Sequence, residues 1–200
     1  MRMWKMAIGV VGLAGVVGAA APQLKSSWRS MDPAATPVSK VVVIGLTRDV
    51  ATRRVAEDAL SAEIRKNGGR AEPSYTLFPG DLPKDPAPIK EKVSAAGFDG
   101  AVIVRVAGVT KEQAWDYVTV APGYYATTWS YWGYWYPYAW DPFYLREDTT
   151  VRIETVVYSV SGMLIWSGLS ESVNPGSVRS VIRDVAVPVG AEVKKRNVVR

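Results

Sequence analysis

The chain predicts an α/β fold: one domain with a mixed sheet (α+β in its second half), in the order β-α-β-α-β-[aromatic loop]-β-β-α. Three observations carry this. Lys40-Val41-Val42-Val43-Ile44-Gly45-Leu46 is a continuous, mostly β-branched run, as found in parallel strands covered on both faces. Residues 50–66 then place Val50, Val55, Ala56, Ala59, Leu60 and Ile64 at three- and four-residue spacing, which is an amphipathic helix. Thr149 to Val160 alternates Val151, Ile153, Thr155 and Val157 against Arg152 and Glu154, the pattern of a strand with one buried face.

In chain order, residues 1–20 have the parts of a secretory signal peptide. Arg2 and Lys5 supply the positive end, Ala7 to Val17 the apolar run, and Gly18-Ala19-Ala20-Ala21 the small residues that a signal peptidase needs. The run is too short and glycine-rich for a span of about 20 apolar residues. Cleavage near Ala20-Ala21 is expected, with export to the periplasm or beyond. Residues 21–40 are polar and carry Pro22, Pro33 and Pro37; they read as an extended tether, with Trp28 placed to plug the edge of the domain.

The α/β domain is expected over 41–197. After the first strand, Thr47-Arg48-Asp49 offers oxygens to the free N–H groups of the helix, and Asn67-Gly68-Gly69 ends it. Arg70 to Phe78 reads as a short second strand near an edge, because Pro73 interrupts it. Pro79-Gly80-Asp81-Leu82-Pro83 is a turn. Asp85-Pro86 opens a second helix with proline where its missing N–H is harmless, Ile89, Val93 and Ala96 facing inward and Gly97 closing it. Ala101 to Ala107 is the third strand, which leaves the core at Arg105 and is read as continuing in a ribbon through Trp115–Val120. Ser161-Gly162 is a hairpin turn between the last two strands, and Val178, Val181, Ile182, Val185, Val189 and Val193 mark a closing helix that contains Pro188.

Composition narrows the function. The chain has 8 Trp, 10 Tyr and 3 Phe, and fourteen of these rings fall within residues 115–144. Gly123, Gly133, Pro122, Pro137 and Pro142 break any regular period there, so 121–145 reads as a long loop inserted between two strands, of the kind that is usually functional. The candidate binding residues are Tyr124, Tyr125, Trp129, Tyr131, Trp132, Tyr134, Trp135, Tyr136, Tyr138 and Trp140. Such rings stack on sugars and on one another, sit in membrane interfaces and dominate protein hot spots. They also pack inward when a loop folds onto its own domain.

Cys and His are both absent. Disulfides, thiolate chemistry and Ser-His catalysis are excluded, and the commonest metal ligand is missing. No metal spacing emerges from Asp81, Asp85, Asp99 or Asp116, and neither a cofactor nor a metal is expected. Net charge is +5, with mixed signs along the chain and no basic tract longer than Lys194-Lys195-Arg196, which argues against nucleic acid. Arg53–Glu57 and Arg54–Asp58 at i,i+4 read as helix-surface pairs. Thr47 and Arg48 stand where ligands approach open α/β sheets. Arg105, Arg152 and Glu154 suggest a cross-strand charge pair on the open face.

The element order resembles the small periplasmic α/β domain of the TolB N-terminal type, which curli-secretion channel lipoproteins also use. A second resemblance rests on residues: Ser27-Trp28-Arg29, Val42-Val43-Ile44-Gly45-Leu46-Thr47, Arg53-Arg54-Val55-Ala56-Glu57-Asp58, Pro73-Ser74-Tyr75, Gly97-Phe98-Asp99-Gly100, the Tyr/Trp/Gly loop, Glu154-Thr155 and Leu164-Ile165-Trp166-Ser167-Gly168. These are similar to uncharacterised bacterial envelope lipoproteins. The resemblance implies an envelope location. Val16-Val17-Gly18 is followed by Ala19 where such proteins carry the lipidated Cys. The expectation is a secreted, non-enzymatic protein that meets an envelope protein, glycan or membrane surface through its aromatic loop. The alternative is a carboxylate-based enzyme acting on an envelope polymer, which needs two carboxylates about 5–10 Å apart in a cleft.

Overall fold

A computed structural model describes residues 22–111, 127, 128, 132, 149–173 and 175–200. Residues 1–20, read as a signal peptide, lie outside the described residues. The elements are β1 (Gln23–Arg29), β2 (Lys40–Gly45), α1 (Val50–Lys66), β3 (Arg70–Pro73), a 3₁₀ turn (Ser74–Thr76), α2 (Pro86–Ala95), β4 (Gly100–Lys111), β5 (Thr149–Ser159), β6 (Leu164–Val173) and α3 (Val178–Lys195). They form a six-stranded mixed sheet in the order β1-β6-β5-β4-β2-β3. β4, β2 and β3 are parallel, while β4, β5, β6 and β1 pair antiparallel. This is the α/β domain that the hydrophobic pattern predicts.

The sheet has apolar clusters on both faces. On one, α1 and α3 pack Ala56, Leu60, Ile64, Val185 and Val189 onto Val41, Val43, Val102, Val157 and Trp166. On the other, Ile89 and Val93 of α2, with Phe78, Leu82 and Phe98, cover Val42, Ile44, Ile103 and Val156. Successive strand residues point to opposite faces, so the unbroken apolar run of β2 supplies both clusters.

Local chemistry fixes the helix ends. The Asp49 carboxylate accepts from the N–H groups of Ala51 and Thr52, and Asp85 does the same for Ala87 ahead of Pro86. Ser177 and Ser180 form a reciprocal capping box on α3. Gly68, at φ 98°, takes a left-handed conformation where α1 stops. Pro188 lies inside α3; buried Val185, Ala186, Val189 and Val193 hold the helix across it.

Two elements depart from the sequence reading. The segment read as a tether contains β1, the sheet's edge strand. It has few apolar side chains to announce it, and polar contacts dock it: the Ser27 hydroxyl donates to Glu192 at 3.1 Å and Arg29 donates to the Asn197 carbonyl at 3.3 Å. The strand expected over Arg70–Phe78 stops at Pro73, and Ser74 and Tyr75 turn inward to Glu57 instead.

The β4–β5 register positions the insertion. Gly100 lies opposite Ser159 and Lys111 opposite Thr149, so the insertion leaves and re-enters at one end of the sheet while the β5–β6 turn lies at the other. Thr128 donates its N–H to the Gly162 carbonyl in that turn at 3.2 Å. At about 3.3 Å per residue along β5, Thr128 sits roughly 30 Å from the insertion's two ends.

Candidate functional site

Of the ten rings singled out, one falls among the described residues. Trp132 is 0% exposed and belongs to the α2-side cluster with Val156, Tyr158, Ile103 and Phe98. It was expected at a binding surface and instead packs in the core. The reason is that the α2 side of the antiparallel strands offers apolar side chains, Val156 and Tyr158, that an indole can cover. Tyr124, Tyr125, Trp129, Tyr131, Tyr134, Trp135, Tyr136, Tyr138 and Trp140 lie outside the described residues.

The same sheet face carries another indole. Trp28 of β1 pairs with Ser167, Ser167 with Val156, and Val156 with Ile103. These residues form one row across four strands. Strands stand about 4.8 Å apart, so Trp28 is about 10 Å from Val156, and it is 50% exposed. It does not plug the edge of the domain; it stands out from it.

One row further along this face, Arg105 and Glu154 face each other across β4 and β5 with a 2.6 Å ion pair. This is the cross-strand pair the alternation suggests, but both side chains are buried rather than set on an open face. Arg152 lies 3.5 Å from Glu171, which Lys25 approaches at 3.7 Å.

The Arg53–Glu57 pair corrects the reading of a helix-surface pair. Arg53 is 1% exposed and Glu57 0%, and their charged atoms stand 3.5 Å apart. Glu57 accepts from the Ser74 hydroxyl at 2.6 Å, the Tyr75 N–H at 3.0 Å and the Gly45 N–H at 3.1 Å. Arg53 donates to the carbonyls of Phe78 and Gly80, both at 2.8 Å. Burial pushes the Glu57 carboxyl above its usual range, against the opposing pull of Ser74, Gly45 and Arg53. The pair ties α1 to the end of β2 and to the 74–80 segment. A signal for it exists in the sequence: residues 53, 56, 57, 60 and 64 lie on one helical stripe, so the two charges share the apolar face.

Among the described residues, Thr47 borders one small space. The space bounded by Gly45, Leu46, Thr47, Val104, Ile153 and Ile182 is about 10 Å³, little more than a water's worth, and its walls are apolar. Arg54 instead lies over the Tyr75 ring at 5.5 Å, and Tyr75 donates its hydroxyl to Asp58 at 2.5 Å. Among the described residues no group of three acidic side chains is placed to hold a metal ion, and no helix is long and apolar enough to cross a membrane.

No family model and no curated protein matches the chain. Solved structures similar to it include the PelC dodecamer from Paraburkholderia phytofirmans, at 18% identity over 88% of this chain and 98% of that one, with a TM-score of 0.43. A variant of the same dodecamer is 16% identical over 82% and 95%, with a TM-score of 0.41. A likeness of that size carries no function across.

Proposed function

We propose that this is an exported, envelope-associated protein that works by contact, through the rings of the 121–145 insertion. The supporting observation is the insertion's anchoring. Trp132 is sunk in the core and Thr128 is bonded to the β5–β6 turn, so the insertion has a footing on the sheet, and contact with a partner is assigned to its nine other candidate rings. Polymer-bound sugar faces, aromatic protein surfaces and lipid headgroup regions all suit such rings.

A carboxylate-based enzyme has less support. Glu57 and Glu154, the buried glutamates described above, each stand against an arginine, whereas glycoside cleavage asks for two carboxylates free to act together. The test is capture from envelope extract by the wild type and by a variant with the nine rings changed to Ser and Trp132 kept. The variant is expected to lose what the wild type captures; equal capture would refute the proposal. Export is tested by N-terminal sequencing of protein from its host, which should begin near Ala21. Intact Met1 would contradict it.

A further inference from the structure

The outer strip of the sheet, on the face away from α3, carries an exposed ring among hydroxyls. β1 turns Ser27 and Arg29 toward α3, where they bond to Glu192 and to the Asn197 carbonyl. Side chains alternate along a strand, so Ser26 and Trp28 stand on the opposite face. The register sets their neighbours: Ser167 lies opposite Trp28 and Leu169 opposite Ser26. Trp28 is 50% exposed, Ser26 is exposed, and Ser167 and Leu169 are half-buried. Neither serine hydroxyl has a hydrogen-bond partner among the described residues. At about 3.3 Å per residue along β6, Glu171 lies on the same face roughly 13 Å from Ser167. Lys25 approaches Glu171 at 3.7 Å and Arg152 at 3.5 Å.

The make-up of this strip selects its ligand. A lipid surface would ask for a cluster of exposed apolar side chains. The next one on this face is Val173, beyond Glu171 and roughly 20 Å from Ser167. An acidic polymer would ask for cations free of carboxylates, whereas Lys25 and Arg152 both stand against Glu171. A protein hot spot sinks its ring in a well-packed, desolvated pocket, whereas Trp28 is bordered by unbonded hydroxyls. A neutral sugar suits both features of the strip. The C–H face of its ring stacks on an indole, and its hydroxyls both give and take hydrogen bonds, as serine does. We propose that the strip from Trp28 to Glu171 binds a neutral polysaccharide chain. Trp28 stacks on one sugar ring, Ser26 and Ser167 bond to its hydroxyls, and the chain runs along β6 toward Glu171. The site is separate from the rings of the insertion and does not rest on them.

The test is affinity electrophoresis of the chain from Ala21, which holds every described strand and helix, in native gels containing dextran, hydroxyethyl cellulose or glucomannan. At least one of these neutral glycans is expected to retard the wild type, with little dependence on salt. Trp28→Ser should weaken that binding about fivefold or more, and Trp28→Phe, which keeps a stacking face, should restore most of it. Ser26→Ala with Ser167→Ala should weaken it roughly fivefold. These substitutions remove no hydrogen bond within the domain, so melting curves should stay close to that of the wild type. The nine-ring variant should bind as the wild type does, which separates this strip from the insertion. No retardation by any of the three glycans would overturn the proposal, as would unchanged retardation of Trp28→Ser. Retardation by dextran sulfate alone would also overturn it, by assigning an acidic polymer instead. So would binding that is lost in the nine-ring variant and kept in Trp28→Ser, which would assign the sugar to the insertion.

Discussion

The two halves of the sheet solve burial differently. In the parallel half, β2 is flanked by β3 and β4 and covered by α1 on one face and by α2 with the 74–82 segment on the other. Val41, Val42 and Val43 are all fully buried. In the antiparallel half, α3 covers one face of β5 and β6, while the opposite face carries Trp132, the Arg105–Glu154 pair, Ser167 and exposed Trp28. The first half is closed by regular structure that its own sequence specifies. On that face of the second, Trp132 of the insertion takes the place that a helix fills elsewhere. Both sheet edges are blunted as well. β3 is short and ends at Pro73, and β1 carries an irregularity between Leu24 and Ser26, features that discourage further strand pairing.

The largest expected effect lies in the closed half. Val43→Asp places an unpaired charge at a fully buried position between α1 and the sheet. The cost is several kcal/mol, enough to abolish folding of a domain with about 5–15 kcal/mol to lose. Circular dichroism should show no cooperative melt. A wild-type melting curve would mean that the parallel half is not the closed one.

Next come two glutamates with opposite pH behaviour. Glu57→Gln replaces an oxygen that accepts from buried neighbours, Gly45, Ser74 and Tyr75 among them, with an amide nitrogen that cannot, and should cost about 1–3 kcal/mol. Because burial raises the Glu57 pKa, the folded chain takes up that proton more readily than the unfolded chain. The wild type's margin over Glu57→Gln should therefore widen as pH falls toward about 4 and shrink as pH rises. Glu192 is the reverse case. The hydrogen bond from Arg196, aided by that from Ser27, holds its pKa below the usual range. The wild type's smaller margin over Glu192→Gln should be complete above about pH 5 and vanish as pH falls through the folded pKa. Denaturant melts of the three proteins from pH 4 to 7 check both signs; parallel trends would contradict the assignments.

A smaller effect is expected at Gly168 in the antiparallel half. A Cβ there would fall inside the Trp166 indole, and both rings and backbone yield poorly. Gly168→Ala should cost about 1–3 kcal/mol, or roughly 2–12 °C in melting temperature at this chain length. No shift would mean that Trp166 does not lie over Gly168 and that the α3 side of this half is loosely packed.

Legibility in the sequence follows the same division. β2, α1, α2, β5, β6 and α3 announce themselves by apolar period and by caps, because each buries a face against regular partners. β1 does not, since Leu24 and Trp28 are its only large apolar residues and hydrogen bonds to α3 and to Asn197 hold it. Arg53 and Glu57 look like surface residues when only their charge is read, and like core residues when their stripe with Ala56, Leu60 and Ile64 is read. Trp132 could not be told from its neighbours. Tyr131 to Tyr138 has no period, and which ring enters the core depends on the shape of a distant sheet face rather than on local spacing.

The central claim is that the insertion divides its rings, with Trp132 for packing and the others for contact. Melting temperature tests it most directly, comparing Trp132→Ala with the variant in which the nine other candidate rings become Ser. Loss of a fully buried indole costs about 3–5 kcal/mol, so Trp132→Ala should melt roughly 6–20 °C below the wild type. The nine-ring variant should melt within a few degrees of the wild type, although it changes nine times as many side chains. If it melts as low as Trp132→Ala, or lower, the rings are part of the core and the insertion is not a contact surface.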